Sequence, residues 1–285
     1  MQEPRPRFSM RVKHYLQSRP HYPQAILEVL KRECHLTQQA LIADMGSGTG
    51  MLTAVFLSNG NGVFGIEPDP EMRAAAEYAL GKYPTFTSIA ASAEATSLAD
   101  RSVDMVTVGQ AFHWFDRERA RKEFARILVP RGWVVLVWNR QRTAGTPFLV
   151  ALEQFWQTYL TREGLQAVAA GRDLTLLLQA TNPVYQWRLE PGRVSQELIA
   201  PFFGSDSFAM QAFENPQVYD SEGLKGRVLS AGSAPQADHP RYAEMLEALE
   251  AIFWMHQVNG RVTIDYETQV WYGQLSPELQ QPPES

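Results

Sequence analysis

The amino-acid sequence predicts an α/β protein whose core is a doubly wound parallel sheet. Short apolar runs that suit buried strands alternate with stretches that suit helices. The first of these runs, residues 40–45, leads directly into three closely spaced glycines. A second run, residues 62–66, ends on Glu67, about 20 residues past that turn. A strand, glycine turn, helix, strand and acid in this order predict a nucleoside-binding unit.

Other strands and helices are predicted in a regular order around this unit. A helix over residues 24–32 comes first, and Asp116 is expected to cap a helix over residues 117–128. The remaining predicted helices are residues 51–57 and a segment beginning at Pro68, and the predicted strands are residues 40–45, 62–66, 85–90, 103–109 and 133–139. Right-handed crossovers are the default connection for such strands.

The regular alternation stops after about residue 140. An accumulation of aromatic residues between there and residue 207 predicts the last helix of the sheet followed by an inserted cap. Within the predicted helix 147–160, an apolar stripe with helical spacing is expected to pack on the sheet; it consists of Phe148, Leu152, Phe155 and Tyr159. Two more strands, residues 208–219 and 262–272, and two helices, residues 222–231 and 241–258, are predicted to complete the fold.

Charge and composition argue against several classes of function. The 26 basic and 31 acidic residues give a net charge of −5, and no cluster of Lys and Arg is available to neutralise phosphates. Cys34 is the single cysteine, which excludes an internal disulfide and fits a reducing compartment. No apolar window is long enough to span a bilayer, and no spacing of side chains suits a metal. We therefore expect a cytoplasmic protein with no metal, nucleic-acid partner or membrane partner.

The spacing of the glycines narrows the kind of nucleoside. Dinucleotide sites use G-x-G-x-x-G, whereas Gly46, Gly48 and Gly50 form G-x-G-x-G and Met51 follows. Asp44 would place a negative charge beside a phosphate, which electrostatics disfavours, but it suits an ammonium group or its bound water. A nucleoside that carries an amino acid fits this pattern better than one that carries phosphates.

The segments Asp44-Met45-Gly46-Ser47-Gly48-Thr49-Gly50 and Glu67-Pro68-Asp69 resemble the first two motifs of class I S-adenosylmethionine-dependent methyltransferases. The chain is most similar to the bacterial small-molecule group that includes trans-aconitate methyltransferase. The resemblance implies S-adenosyl-L-methionine as cofactor and a Rossmann-like sheet of seven strands whose last strand is antiparallel. Residues 208–219 and 262–272 would then be the sixth and seventh strands.

The resemblance also implies a set of cofactor-binding residues. A Y-x-x-x-R-P-x-Y-P segment lies across the cofactor mouth in this family, although here Tyr22 and Pro23 could instead staple a helix start. Met72 would pack on the adenine, or serve as ordinary core. Ser92 stands where the family commonly has an acid, so a side-chain contact at this position is in doubt. Backbone contacts from Ala93 and Glu94 remain possible. The full set is Tyr15, Arg19, Tyr22, Asp44, Gly46, Ser47, Gly48, Thr49, Gly50, Glu67, Pro68, Met72, Ser92, Ala93, Glu94, Gln110 and Trp114.

The catalytic candidates are Gln110 and His113, which follow the fourth predicted strand at the edge where parallel sheets bind ligands. Because methyl transfer from a sulfonium is a single displacement, the protein must mainly align the acceptor and remove a proton where there is one. An ordinary pKa near 6.5 makes His113 a workable base, and the alternative is a histidine bonded to backbone under the cap. Trp114 would contact the sulfonium through a cation–π interaction, or pack on the neighbouring helix.

These observations predict a methyltransferase acting on a small molecule, as a monomer or homodimer. O-methylation of a small acid or a natural-product hydroxyl is the favoured reaction, and N- and C-methylation stay open. Arg19 and Arg142 are candidates to receive a carboxylate. The alternatives are an NAD(P)-dependent reductase on a similar sheet and a catalytically silent S-adenosylmethionine-binding protein. The predicted division is a flexible arm (1–12), the binding core (13–140), the last core helix with the cap (141–207), closing strands with inserted helices (208–273) and a disordered tail (274–285).

Overall fold

The computed structural model describes residues 18–160, 199–204, 208–231 and 233–275. The predicted arm, Tyr15, most of the predicted cap insertion and the tail from residue 276 lie outside these ranges. Leu275 is buried in the apolar core, so the packed chain extends past the predicted start of the tail at residue 274.

Seven of the described strands form one mixed sheet: β1 Leu41–Met45, β2 Gly62–Ile66, β3 Phe86–Ile89, β4 Val103–Gly109, β5 Leu128–Gln141, β6 Phe208–Glu214 and β9 Tyr266–Gly273. Their order in the sheet is β3-β2-β1-β4-β5-β9-β6. A separate ribbon pairs β7 Gln217–Tyr219 with β8 Val262–Ile264. Strands β1 to β5 are parallel, whereas β9 is antiparallel to β5 and β6. The predicted seven-stranded fold with an antiparallel last strand is therefore confirmed.

The helices connect these strands. Their bounds are α1 Ala25–Glu33, α2 Met51–Asn59, α3 Pro70–Leu80, α4 Arg117–Ile127, α5 Pro147–Leu160, α6 Ser221–Leu229 and α7 Tyr242–His256, with one 3₁₀ turn at Phe112–Trp114. None of the helices in the described ranges combines the length and the apolar character that crossing a bilayer needs.

Successive side chains along the strands lie alternately in two apolar clusters, one on each face of the sheet. In β1, Ala43 and Met45 face one cluster and Ile42 faces the other. Phe124 of α4 packs into the first cluster and Phe56 of α2 into the second. Burial of each large apolar side chain stabilises the fold by about 1.5–3 kcal/mol, so covering both faces fixes the doubly wound arrangement. The order reverses between β1 and β4, where ligands of such sheets bind.

A third apolar cluster forms a cap apart from the two sheet faces. It joins α5, α6 and α7 with the β7–β8 ribbon and Tyr266, the first residue of β9. The predicted stripe Phe148, Leu152, Phe155 and Tyr159 lies in this cluster. The expectation that the stripe packs on the sheet is therefore wrong, because helical spacing fixes which face is buried and not what covers it.

Both closing strands are interrupted where the sequence predicted continuous ones. The run 208–219 breaks at Asn215 and Pro216, since proline has no backbone N–H to donate to a ladder. The run 262–272 breaks at Asp265, and each break separates the sheet from the cap ribbon. The fifth strand is longer than the predicted 133–139, because pairing already occurs at Leu128, before an irregularity in the register.

Helix α3 begins two residues later than predicted. Asp69 is its N-cap, with a side chain that accepts hydrogen bonds from the backbone N–H groups of Glu71 and Met72 at 2.9 Å each. Pro70, rather than Pro68, is its first residue, since a capping carboxylate and a following proline define a helix start.

Candidate active site

The glycine turn between β1 and α2 is held in left-handed conformations. Gly46 and Gly48 have φ values of +62° and +57°. A Cβ on Gly46 would lie 2.6 Å from Cβ of Ala111, whereas one on Gly48 would meet no atom within 4 Å. Gly46 therefore allows close packing of the loops after β1 and β4, and Gly48 presents bare backbone to open space.

The Glu67 carboxylate joins the two predicted motifs. Its Oε2 accepts a hydrogen bond from the backbone N–H of Gly48 and its Oε1 one from that of Asp69, both at 2.9 Å. The residue is 8% exposed. Since each carboxylate oxygen has two acceptor sites, Glu67 retains acceptor capacity for two hydroxyl donors after fixing the turn.

Asp44 lies beneath the turn and is 1% exposed. Its Oδ2 accepts from Thr53 Oγ1 at 2.6 Å and its Oδ1 from Thr107 Oγ1 at 2.9 Å. Burial raises the pKa of Asp44 to about 6, against the opposing effect of the two hydroxyl hydrogen bonds, and the nearby Glu67 charge adds to the rise. Asp44 is therefore a buried negative charge at neutral pH that titrates near pH 6.

Thr49 carries a buried polar atom that fits a ligand. The residue is 3% exposed and borders the cleft, yet its hydroxyl oxygen has no hydrogen-bond partner within the described part of the chain. Because an unsatisfied buried hydroxyl costs about 1–3 kcal/mol, a bound polar group would relieve this cost. The acceptor capacity of Glu67 and the hydroxyl of Thr49 suit the hydroxyl-rich, amino-acid-bearing nucleoside that the sequence predicts.

Gln110 occupies a strained backbone position after β4. Its φ is +60°, a region that favours glycine, and its backbone N–H donates to Val137 O at 3.0 Å. Its side-chain Nε2 donates to Asn139 O at 2.9 Å, which leaves the amide oxygen as an acceptor beside the cleft. Strain of this kind is concentrated at functional sites.

His113 and Trp114 lie on the 3₁₀ turn and do not line the cleft. Trp114 is 80% exposed, so packing on a neighbouring helix does not describe it, and its ring stacks at a tilt 4.7 Å from that of His113. Neighbouring protein displaces water from His113 and lowers its pKa, which favours the neutral imidazole, although the residue lies at the surface. Neither the expected base nor the expected sulfonium contact is brought to the cleft.

The segment before α1 forms one wall of the cleft. Arg19 and Tyr22 line it, and Arg19 donates to Ser230 O in the cap at 2.9 Å. The Tyr22 hydroxyl lies against Gly109, where a Cβ would approach it to 2.8 Å. Tyr15 is outside the described residues.

Five predicted cofactor-binding residues are not among those that line this cleft: Pro68, Met72, Ser92, Ala93 and Glu94. Pro68 is exposed, Met72 is half-buried in the first turn of α3, and Ala93 is buried in the sheet core. Ser92 bridges to Ala95. Glu94 Oε1 accepts from the backbone N–H of Asp116 at 3.0 Å, which ties the loops after β3 and β4 together.

The cleft combines predicted residues with some that sequence reasoning missed. The predicted residues that line it are Arg19, Tyr22, Asp44, Gly46, Ser47, Gly48, Thr49 and Gln110, and the missed ones are Pro20, Met51, Leu52, Gly109 and Asn139. The sequence could have predicted Asn139 as a cleft residue. Like Glu67, it is the first polar residue after the apolar run of a predicted parallel strand, where ligands of such sheets bind.

Comparison with known proteins agrees with this geometry. Residues 43–136 match the family model of a methyltransferase domain. An uncharacterized methyltransferase-like protein of Schizosaccharomyces pombe is 36% identical over 133 residues, which is 46% of this chain and 51% of that protein. An uncharacterized methyltransferase of Mycobacterium bovis is 38% identical over 132 residues, with 46% and 51% covered. The chain spans about half the length of the curated relatives that it matches.

Solved structures show the same fold. A candidate type II methyltransferase from Anaeromyxobacter dehalogenans aligns with a TM-score of 0.55 at 19% identity, over 91% of this chain and 99% of that one. A candidate methyltransferase from an antibiotic biosynthesis pathway of Anabaena variabilis aligns with a TM-score of 0.52 at 19% identity and the same two coverages.

Proposed function

We propose that this chain, which carries a class I S-adenosylmethionine-dependent methyltransferase domain, transfers the methyl group of that cofactor to a small carboxylic acid. The observation that carries the proposal is the cleft at the switch point between β1 and β4. There, the glycine backbone, Arg19 and the Thr49 hydroxyl, which has no hydrogen-bond partner among the described residues, line the cleft, and the Glu67 carboxylate is bound to the Gly48 backbone.

The cofactor would supply a methyl group already activated by its sulfonium. Residues at and beside the cleft have the groups to bind and orient it. Glu67, which is bound to the glycine turn, has acceptor capacity for ribose hydroxyls, the Thr49 hydroxyl suits the amino-acid part, and the buried Asp44 charge would attract the ammonium. Gln110, fixed by Asn139 O, offers its amide oxygen on the acceptor side.

The choice of a carboxylic acid as acceptor follows from the charges and bases around the cleft. Its described lining contains no histidine, and a carboxylate is already deprotonated at neutral pH, so its methylation needs no base. Arg19 supplies a cation on the cleft wall. Arg142, the other candidate, is not among the residues that line the cleft, and it lies 3.5 Å from Glu214 Oε1. O-methylation of a hydroxyl would need a base, and the predicted base His113 lies at the surface and is not part of this lining.

Methyl transfer is tested by incubating the purified chain with S-adenosylmethionine and a panel of small acids, phenols and alcohols. The expected result is release of S-adenosylhomocysteine with the acids. Turnover with hydroxyl compounds alone would reject the acid acceptor. Binding of S-adenosylhomocysteine by calorimetry without any turnover would favour a silent binding protein, and lack of binding would reject the proposed cofactor.

A further inference from the structure

Asn139 connects the cleft to three distant parts of the chain. It lies near the carboxyl end of β5 and is 7% exposed. Its backbone oxygen accepts from Gln110, and its side-chain Nδ2 donates to Pro20 O at 3.1 Å and to His21 O at 3.2 Å. One residue thus contacts both the catalytic candidate and the backbone of the wall segment.

The other end of the Asn139 amide is held from the closing strands. Its Oδ1 accepts from Thr268 Oγ1 at 2.6 Å and from Asn215 Nδ2 at 3.3 Å. Asn215 Nδ2 also donates to His21 O at 2.7 Å. Asn215 is 8% exposed and Thr268 is fully buried, so bulk water has little access to replace these hydrogen bonds.

The chemistry of this network requires an amide at position 139. Two donors face backbone carbonyls and the oxygen faces a hydroxyl and a second amide, so the donors and the acceptor are all used. A carboxylate at this position could accept from Thr268 but would repel the carbonyls of Pro20 and His21. The arrangement therefore fixes the backbone between Arg19 and Tyr22, whose side chains line the cleft.

We propose that Asn139 is a positioning residue that orders the wall segment 19–22 for cofactor binding, with Asn215 and Thr268 as its supports. This inference rests on the proposed function. The affinity for the cofactor then depends partly on the hydrogen bond between Asn139 and Pro20, which are 119 positions apart in the chain. Neither of these two residues takes part in the reaction itself.

The Asn139→Asp variant tests this role through two measurements. Amide hydrogen exchange of peptides covering residues 18–24 is expected to rise about tenfold, and the Kd for S-adenosylhomocysteine, measured by calorimetry, to rise about tenfold, since two buried hydrogen bonds are lost. Should this variant not fold, Thr268→Val removes the hydroxyl that donates to Asn139 and accepts from Asn215 Nδ2 at 3.1 Å, while both hydrogen bonds from Asn139 to the wall segment remain. It is expected to give smaller changes in the same direction.

Asn61→Asp is the matched control. Asn61 is fully buried and its Nδ2 donates to two carbonyls, Thr37 O at 2.8 Å and Ala40 O at 2.9 Å, before the amino ends of β1 and β2. It should lose stability without altering exchange in 18–24 or the affinity. Equal changes in the two variants, or no change in Asn139→Asp, would overturn the positioning role. A wild-type chain that binds no S-adenosylhomocysteine would reject the proposed function, while the exchange data would still decide whether Asn139 orders the segment.

Discussion

At the scale of single residues, the two acids next to the glycine turn have different tasks. Glu67 keeps both oxygens on backbone N–H groups and borders the glycine turn, whereas Asp44 is enclosed by the hydroxyls of Thr53 and Thr107. The first acid fixes the turn and keeps acceptor capacity for hydroxyl donors, whereas the second lies in the cleft lining as an enclosed charge. Separate substitutions of the two acids therefore have different expected signatures.

Replacement of Glu67 by alanine is expected to weaken binding of S-adenosylmethionine by about 10- to 100-fold, because hydrogen bonds to a charged group are worth about 1.5–3 kcal/mol. Calorimetric titration measures the change. Glu71→Ala, an exposed acid in the first turn of α3, is the control and should bind like the wild type. Equal affinity of Glu67→Ala and Glu71→Ala would contradict the assignment.

The pKa of Asp44, about 6 in the folded protein against an ordinary 3.8, predicts two pH effects. The folded chain binds more protons than the unfolded chain between these values, so the contribution of Asp44 to stability falls as pH rises from about 4 to 6 and is constant above. Cofactor affinity should change in the opposite direction and weaken below about pH 6 as the charge is lost. Calorimetry from pH 5 to 8 checks this, and a wild-type profile identical to that of Asp44→Asn would refute it.

At the scale of elements, the turn between β1 and α2 was predictable because its glycines specify backbone conformation locally. The bends at Asn215-Pro216 and Asp265 were not predicted, since an extended run and two shorter strands have the same alternating pattern. What divides each run is its pairing, since one part of each run pairs in the seven-stranded sheet and the other part pairs in the β7–β8 ribbon. The start of α3 was misplaced for a related reason, because two prolines offered two possible starts and only the cap contact of Asp69 selects one.

Two substitutions within the turn separate backbone strain from packing. Gly48→Ala places an alanine in a left-handed backbone conformation without any clash, and it should lower the unfolding free energy by about 1–2 kcal/mol. Gly46→Ala adds a clash with Ala111 and should cost about 1–3 kcal/mol more. Urea unfolding measures both, and a Gly46→Ala variant as stable as Gly48→Ala would show that the two loops do not pack as described.

At the scale of the whole molecule, the cap and the sheet share strand β9. Tyr266 packs in the cap cluster, while Trp271 and Val270 lie on opposite faces of the sheet. Arg19 adds a link from the cleft wall to Ser230 in the cap. Because one strand is buried in all three clusters, the two parts should unfold together.

Truncation in the cap core is expected to destabilise the entire chain. Leu249→Ala, at a site 3% exposed in α7, should lower the unfolding free energy by about 2–5 kcal/mol in a single transition. Met255→Ala, on the same helix but 76% exposed, should change it by less than about 0.5 kcal/mol. Urea unfolding followed by circular dichroism and tryptophan fluorescence checks both, and two separate transitions would contradict the coupling.

The sequence by itself determined the alternation of strands and helices, the glycine turn, the acid after β2 and the resemblance to methyltransferases. These features are local, since neighbouring residues alone determine the hydrophobic periodicity and the backbone conformation of the glycines. Only the tertiary structure decided that His113 stays outside the cleft, that the α5 stripe covers a cap, and that Asn139 meets Pro20 and His21. Such contacts join residues far apart in the chain, and they exist because the order of the strands brings their ends together.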